Sequence, residues 1–229
     1  SRGLGDVYKR QAKVPAAVFG PMAVPPRTDG ERTLRDNLRQ AQQLLKEAGW
    51  TFRDGALRNA KGEVLELEYL DSAETGVRTV APWVRNLEKI GVKLNFRPVD
   101  FALYQQRLQK FEFDITSIAY GGTHNPGQEY ADMFGSKAAD TEDSGNLAGI
   151  KSPAVDALVT QITGAKRKQD LLPACRALDR VIMHSHILIP QWSAGTHRLA
   201  YNAWRLDKPA QMPPYAQGEG WAIDSWWAK

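Results

Sequence analysis

The densest set of groups able to meet a ligand is Tyr120-Gly121-Gly122-Thr123-His124-Asn125: an aromatic ring, two glycines, a hydroxyl, an imidazole and an amide. Glycines let another backbone come close, and an imidazole can hydrogen-bond a ligand or sense pH. Asn146, at the end of the polar loop that follows, can bond ligand or cap a turn. Phe101 and Tyr104, a little upstream, can wall a side-chain pocket or pack on a helix face. His184-Ser185-His186 has a spacing that can hold metal, but no cysteine or acid stands beside it, so packing is expected there. Asp140, Glu142 and Asp143 lack the alternating acids and glycine of a calcium loop and read as a solvated run. Neither Gly-x-Ser-x-Gly nor His-Glu-x-x-His occurs. Binding without chemistry is therefore the expectation, with no catalytic residue, metal or cofactor. The alternative is a hydrolase acting on peptides or esters. An interaction scaffold would rest only on the tryptophan-rich C-terminus.

The elements that must position these groups follow from period and punctuation. Val14 to Arg27 holds four prolines and reads as an extended connector. Thr33 and Asp36 form a capping box ahead of a helix with Leu34, Leu38, Ala41, Leu45 and Ala48 on one face, closed by Gly49. Asp54-Gly55 and Lys61-Gly62 mark turns. Three strands are predicted, over Val64–Leu70, Val92–Val99 and Asp114–Tyr120. Between them lie a helix carrying Val77, Val80, Val84 and Leu87, with Pro82 inside it, and a helix capped by Asp100. This β-α-β-α-β order predicts a parallel sheet with right-handed crossovers. About thirty residues with almost no hydrophobic period come next, and so long a loop is usually functional or disordered. Two helices are expected after Ser152-Pro153, then strands over Ile187–Trp192 and Arg198–Tyr201, and a tail rich in proline, glycine and tryptophan.

Thirty basic residues against twenty-six acidic ones give a formal charge of +4. Asp6-Val7-Tyr8-Lys9-Arg10-Gln11 back-translates to a transposon-end adapter, so residues 1–11 are expected to be a scar that carries no functional argument. Without them the balance is 27 against 25, or +2. With no dense basic run, a nucleic-acid partner is not expected. No apolar stretch approaches the length of a membrane span, and the single Cys175 excludes an intrachain disulfide.

The runs Leu34-Arg-Asp-Asn-Leu38, Leu44-Leu-Lys-Glu-Ala-Gly-Trp50 and Leu87-Glu-Lys-Ile-Gly-Val92 carry a family resemblance. Phe113-Asp-Ile with Tyr120-Gly, Lys151-Ser-Pro-Ala-Val-Asp-Ala-Leu158 and Ile189-Pro-Gln-Trp192 extend it over most of residues 29–227. Together they resemble the dipeptide/oligopeptide class (family 5) of extracellular solute-binding proteins of ABC transporters. Within it, the nearest likeness is to the branch linked to microcin-C-type and longer peptides.

The resemblance implies an α/β, periplasmic-binding-protein-like type II lobe whose mostly parallel sheet is flanked by helices. Residues 12–30 would be a connector between lobes, 31–192 the second ligand-binding lobe, and 193–229 a tail returning to a first lobe that this chain lacks. It implies a monomeric protein, periplasmic or lipid-anchored at the cell surface, with its signal peptide lost by truncation. Its partners would be a peptide or peptide-like ligand and the permease subunits of the transporter. By position, Tyr120, Gly121, Gly122 and Thr123 carry over as ligand contacts, with Phe101, Tyr104, His124 and Asn146 around them. One departure stands out. Many members place an Asp a few residues after the strand aromatic to pair with the ligand amine; here Thr123-His124-Asn125 stands there, and no acid comes before Glu129. A buried ammonium without a counter-charge is costly.

Overall fold

The computed structural model describes residues 12–13, 33–119, 126–189, 193–194, 200–211 and 225–229. They fall into two compact units, one of residues 25–120 and 132–152, the other of 1–24, 121–131 and 153–229. These cuts lie inside the stretch 31–192 that the sequence suggests as one lobe.

In the first unit, helix α1 (Leu34–Glu47) begins at the capping box, with Thr33 Oγ1 accepting from Asp36 N–H and Asp36 accepting from Thr33 N–H. Strands β2 (Thr51–Arg53) and β3 (Ala56–Arg58) form a hairpin. Asp54 and Gly55 both take positive φ, 50° and 78°, as a two-residue turn with right-handed strand twist requires. Leu57, Ile90 and Val92 form a small core under Leu38, Ala41, Leu45 and Trp50. Gly91 adopts φ 83°, and a Cβ there would stand 2.6 Å from the Phe52 ring, so both conformation and space demand glycine.

The sheet follows the predicted order. Strand β4 (Glu66–Asp71) pairs in parallel with β5 (Lys93–Pro98) on one side and β6 (Ile115–Thr116) on the other, giving the order β5-β4-β6. Helix α2 (Val77–Glu88) connects β4 to β5, and α3 (Phe101–Gln109), capped by Asp100 on Leu103 N–H, connects β5 to β6. Strand residues alternate faces. Tyr69, Phe96 and Ile115 pack with Val80, Trp83 and Val84 of α2 on one face. Glu68 meets Arg107 of α3 at 2.7 Å on the other. Leu70, between them on the middle strand, is fully buried.

Two expectations change here. The third strand is two residues long rather than the predicted seven, and side-chain bonds supplement its short ladder. Asp114 accepts from Glu68 N–H, Thr116 Oγ1 donates to Leu70 C=O, and the Tyr69 hydroxyl bonds Ser117 Oγ. The long polar loop is also a packed element. It opens on the short helix α4 (Glu129–Phe134), turns at Ala138–Asp140, and buries Ala138, Ala139, Ser144, Asn146 and Ile150. Its tip is tied to α3, where Asp143 N–H donates to Gln109 C=O. Small and polar residues do this packing, which is why no hydrophobic period announces it.

The second unit contains helices α5 (Pro153–Gly164) and α6 (Lys168–His184), which pack on each other; α5 buries Val155, Val159 and Ile162, and α6 buries Ala174, Leu178 and Ile182. Strand β1 (Ala12–Lys13) pairs antiparallel with β7 (Ser193–Ala194), and β8 (Leu206–Asp207) with β9 (Trp227–Ala228). Beside that ribbon Tyr201 meets Trp226 edge-on at 4.6 Å, with Lys208 Nζ within 6 Å of both rings. Of the strand expected over Ile187–Trp192, residues 187–189 are not in a strand and the rest lie outside the described residues. Tyr201, from the strand expected over Arg198–Tyr201, is not in one either, and 198–199 lie outside.

Partial burial pushes the Glu68 carboxyl up, but hydrogen bonds and charge from Arg107 and Arg97 outweigh it and leave the group below its ordinary value. A depressed folded value means that the pair's contribution is complete above the ordinary glutamate value of 4.5 and is lost as pH falls through the lower folded one. Urea midpoints of the wild type are thus expected to drop between about pH 5 and pH 3, and Glu68→Gln to remove part of that drop. Identical pH profiles would contradict this.

Candidate functional site

The order β5-β4-β6 puts the β4-to-β5 connection, α2, on one face and the β5-to-β6 connection, α3, on the other, and ligands of open parallel sheets bind outside the carboxyl ends of the strands where the order reverses. Here that edge carries Asp71 and Ser72 after β4, Ser117 to Ala119 after β6, and Phe101 at the start of α3. Tyr120, Gly121, Gly122, Thr123 and His124, named from the sequence, continue directly from this edge but lie outside the described residues.

Phe101 and Tyr104 lie within the described residues, and the structure brings them together. Their rings stack with centroids 6.5 Å apart and planes 28° off parallel. Phe101 is 66% exposed. Tyr104 is oriented through its hydroxyl, which lies 3.3 Å from both Thr116 Oγ1 and Ser117 C=O. One ring of the pair is thus fixed against β6, and the other faces solvent as a flat apolar surface.

Among the described residues β6 ends the three-stranded sheet, and its continuation matters as much as its side chains. The Leu70–Thr116 pairing still engages Ser117, and beyond it Ile118 and Ala119 make no backbone–backbone hydrogen bond with a described residue. Ser117 C=O receives the Tyr104 hydroxyl, and Ile118 is 48% exposed. An extended chain alongside would meet the main-chain groups of Ile118 and Ala119 there.

Asn146 leaves the ligand-binding set. Its side chain is fully buried; Nδ2 donates to Gly135 C=O and Ile150 C=O, both at 3.0 Å, and Oδ1 accepts from Ile150 N–H at 2.9 Å. Turn closure, the other role open to it, uses both its protons and its oxygen. Sequence reading also missed Asp71 and Ser117; the strand-order rule finds them once the parallel order is drawn. His184 and His186 are exposed at the end of α6, and no group of three or more His, Cys, Asp or Glu able to hold a metal occurs among the described residues. Burial pushes the Cys175 thiol up, away from the thiolate a nucleophile needs. No helix among the described residues is long and apolar enough to cross a membrane.

The fold is that of type II periplasmic binding proteins. A mannohexaose-bound periplasmic oligopeptide-binding protein of Thermotoga maritima superposes with a TM-score of 0.63 at 18% identity, over 84% of this chain and 39% of that one. The oligopeptide-binding protein AppA of Bacillus subtilis, in complex with a nonapeptide, gives 0.57 at 20% identity, over 72% and 33%. The model for "Bacterial extracellular solute-binding proteins, family 5 Middle" matches residues 3–142, and the chain belongs to that family. Residues 3–11, set aside above as a scar, fall within the match. The "Probable peptide-binding protein YejA" of Agrobacterium fabrum is 41% identical over 99% of this chain, and the "Peptidoglycan-binding protein YepA" of the same organism 30% over 98%. The chain spans about a third of their length, 36% and 35%.

Asn146→Ala would strand a buried N–H and two buried carbonyls, for a loss of roughly 2–4 kcal/mol. Urea unfolding should show that loss while the folded variant keeps wild-type ligand affinity. Unchanged stability with weakened binding would return Asn146 to the site.

Proposed function

We propose that the protein carrying this chain is the substrate-binding component of an ABC importer, which captures peptides or peptide-like solutes between two lobes and delivers them to a membrane permease. The observation that carries this is the 41% identity, over nearly the whole chain, to a relative named for peptide binding. The geometry supports it. An extended peptide bonds through its backbone to a free strand edge, while roomy pockets tolerate its side chains. Ile118 and Ala119, which make no backbone–backbone hydrogen bond with a described residue, offer such an edge, and the exposed Phe101 ring offers an apolar wall. Tyr120, Gly121, Gly122 and Thr123, next in sequence, would contact the ligand as well. Binding without turnover is the family's role, and the hydrolase alternative has no motif behind it.

The same reading covers the rest of the chain. Residues 193–229 form a tail that completes a first lobe, residues 12–30 a connector, and the protein works as an exported monomer in the periplasm or anchored to the cell surface. The two lobes close on ligand by a hinge.

Peptide pools added to the full-length protein should raise its unfolding temperature, as any ligand of the native state does. Phe101→Ala should weaken the best peptide by about tenfold, the scale of an exposed aromatic contact made on binding. No shift with any peptide, together with turnover of an ester or amide, would overturn the reading in favour of an enzyme.

A further inference from the structure

A peptide with a free N-terminus brings an ammonium into the cleft, and a buried ammonium needs a counter-charge. The loop after β6 brings none before Glu129. The neighbouring strand does. We infer that Asp71 is the carboxylate that receives the ligand's ammonium group, an inference that rests on the peptide-binding reading above.

Asp71 is the last residue of β4, one position beyond the Leu70–Thr116 pair, so it stands at the carboxyl end of β4 next to that of β6. It is half-buried. One oxygen, Oδ1, accepts from Ala73 N–H at 3.1 Å, which fixes the carboxylate in its turn. No described residue donates to Oδ2. That oxygen lies over Gly76, at the start of α2. A Cβ at position 76 would collide with it and stand 2.9 Å from Phe96 Cζ, so only glycine leaves the carboxylate room in this position.

The other carboxylates of the sheet are occupied or turned outward. Glu66 is held by Lys93 and Asn95. Glu68 is held by Arg97 and Arg107, and Asp114 accepts from Glu68 N–H. All three sit toward the amino ends of the strands, away from the crevice. Asp100 is exposed and uses Oδ1 to cap α3, and Glu74 is exposed on the turn before α2. Among the described residues no lysine or arginine forms an ion pair with Asp71. An ammonium arriving at this edge thus finds an oriented carboxylate with one oxygen to which no described residue donates.

The test uses the full-length protein and pools of short peptides free of lysine and arginine, each pool with free and with acetylated N-termini. Titration calorimetry should show the wild type preferring free amines by about tenfold or more, the scale of a charge-assisted hydrogen bond. Asp71→Asn keeps the Ala73 acceptor and should reduce free-amine affinity to the acetylated level, leaving acetylated peptides unaffected. Should that variant lack a folding transition, Asp71→Ser, which also keeps an acceptor for Ala73 N–H, replaces it. Equal affinity of the wild type for both pools, or a free-amine preference that survives both substitutions, overturns the role of Asp71 and leaves peptide binding standing. Binding of neither pool removes the peptide reading and Asp71's role with it.

Discussion

Everything in the sheet unit depends on β4 being paired in parallel on both sides. Parallel neighbours cannot be joined by tight turns, so each connection must climb over the sheet and return as a helix. With β4 first in sequence and central in space, the crossovers to β5 and to β6 occupy opposite faces. That arrangement buries Leu70 completely and hides Tyr69 under α2. The gap at the carboxyl ends of β4 and β6 is a consequence of that strand order rather than of any one side chain.

The edge of that gap is held by side chains where a longer strand would have used its backbone. Asp114, Thr116 and Ser117 each bond β4 or its residues, so β6 is anchored by a two-residue ladder and three side-chain bonds. Tyr104 adds a brace from α3. The result is an edge fixed in place as far as Ser117, beyond which Ile118 and Ala119 make no backbone–backbone hydrogen bond with a described residue. A full ladder would have fixed the edge equally well and used up the main-chain groups of those two residues. Its hydroxyl and carboxylate substitutes separate positioning from pairing.

Much of this was legible before any coordinates. The capping box at Thr33 and Asp36, the Asp54-Gly55 turn, the Asp100 cap and the alternating order of three strands and two helices are local signals, each readable within a few residues. What was not legible depends on partners distant in sequence. The short β6 is anchored by Asp114 finding Glu68, 46 residues away. The pairing of β8 with β9 joins Leu206 to Ala228 across a stretch with no alternation to announce it. The loop around Ala138, Ala139 and Ser144 packs through small residues that a hydrophobic-period scan passes over. An asparagine's chemistry suits a ligand or a turn equally, and only the placement of Gly135 and Ile150 around Asn146 decides between them.

The position of Asn146 bears on the site indirectly. A long polar segment after a binding strand would ordinarily be free to fold over a ligand. Here its middle is closed on itself, with Asn146 gripping both Gly135 and Ile150, Ser144 Oγ donating to Ala138 C=O, and Lys151 paired with Asp140 at 2.7 Å. Buried amide networks of this kind are satisfied only in one geometry, which makes them rigid. The bond from Asp143 N–H to Gln109 C=O then transmits that rigidity to α3, the helix that presents Phe101 and Tyr104. The loop therefore acts as a buttress. It steadies the aromatic wall from behind, while recognition falls to the strand ends that the parallel order leaves open.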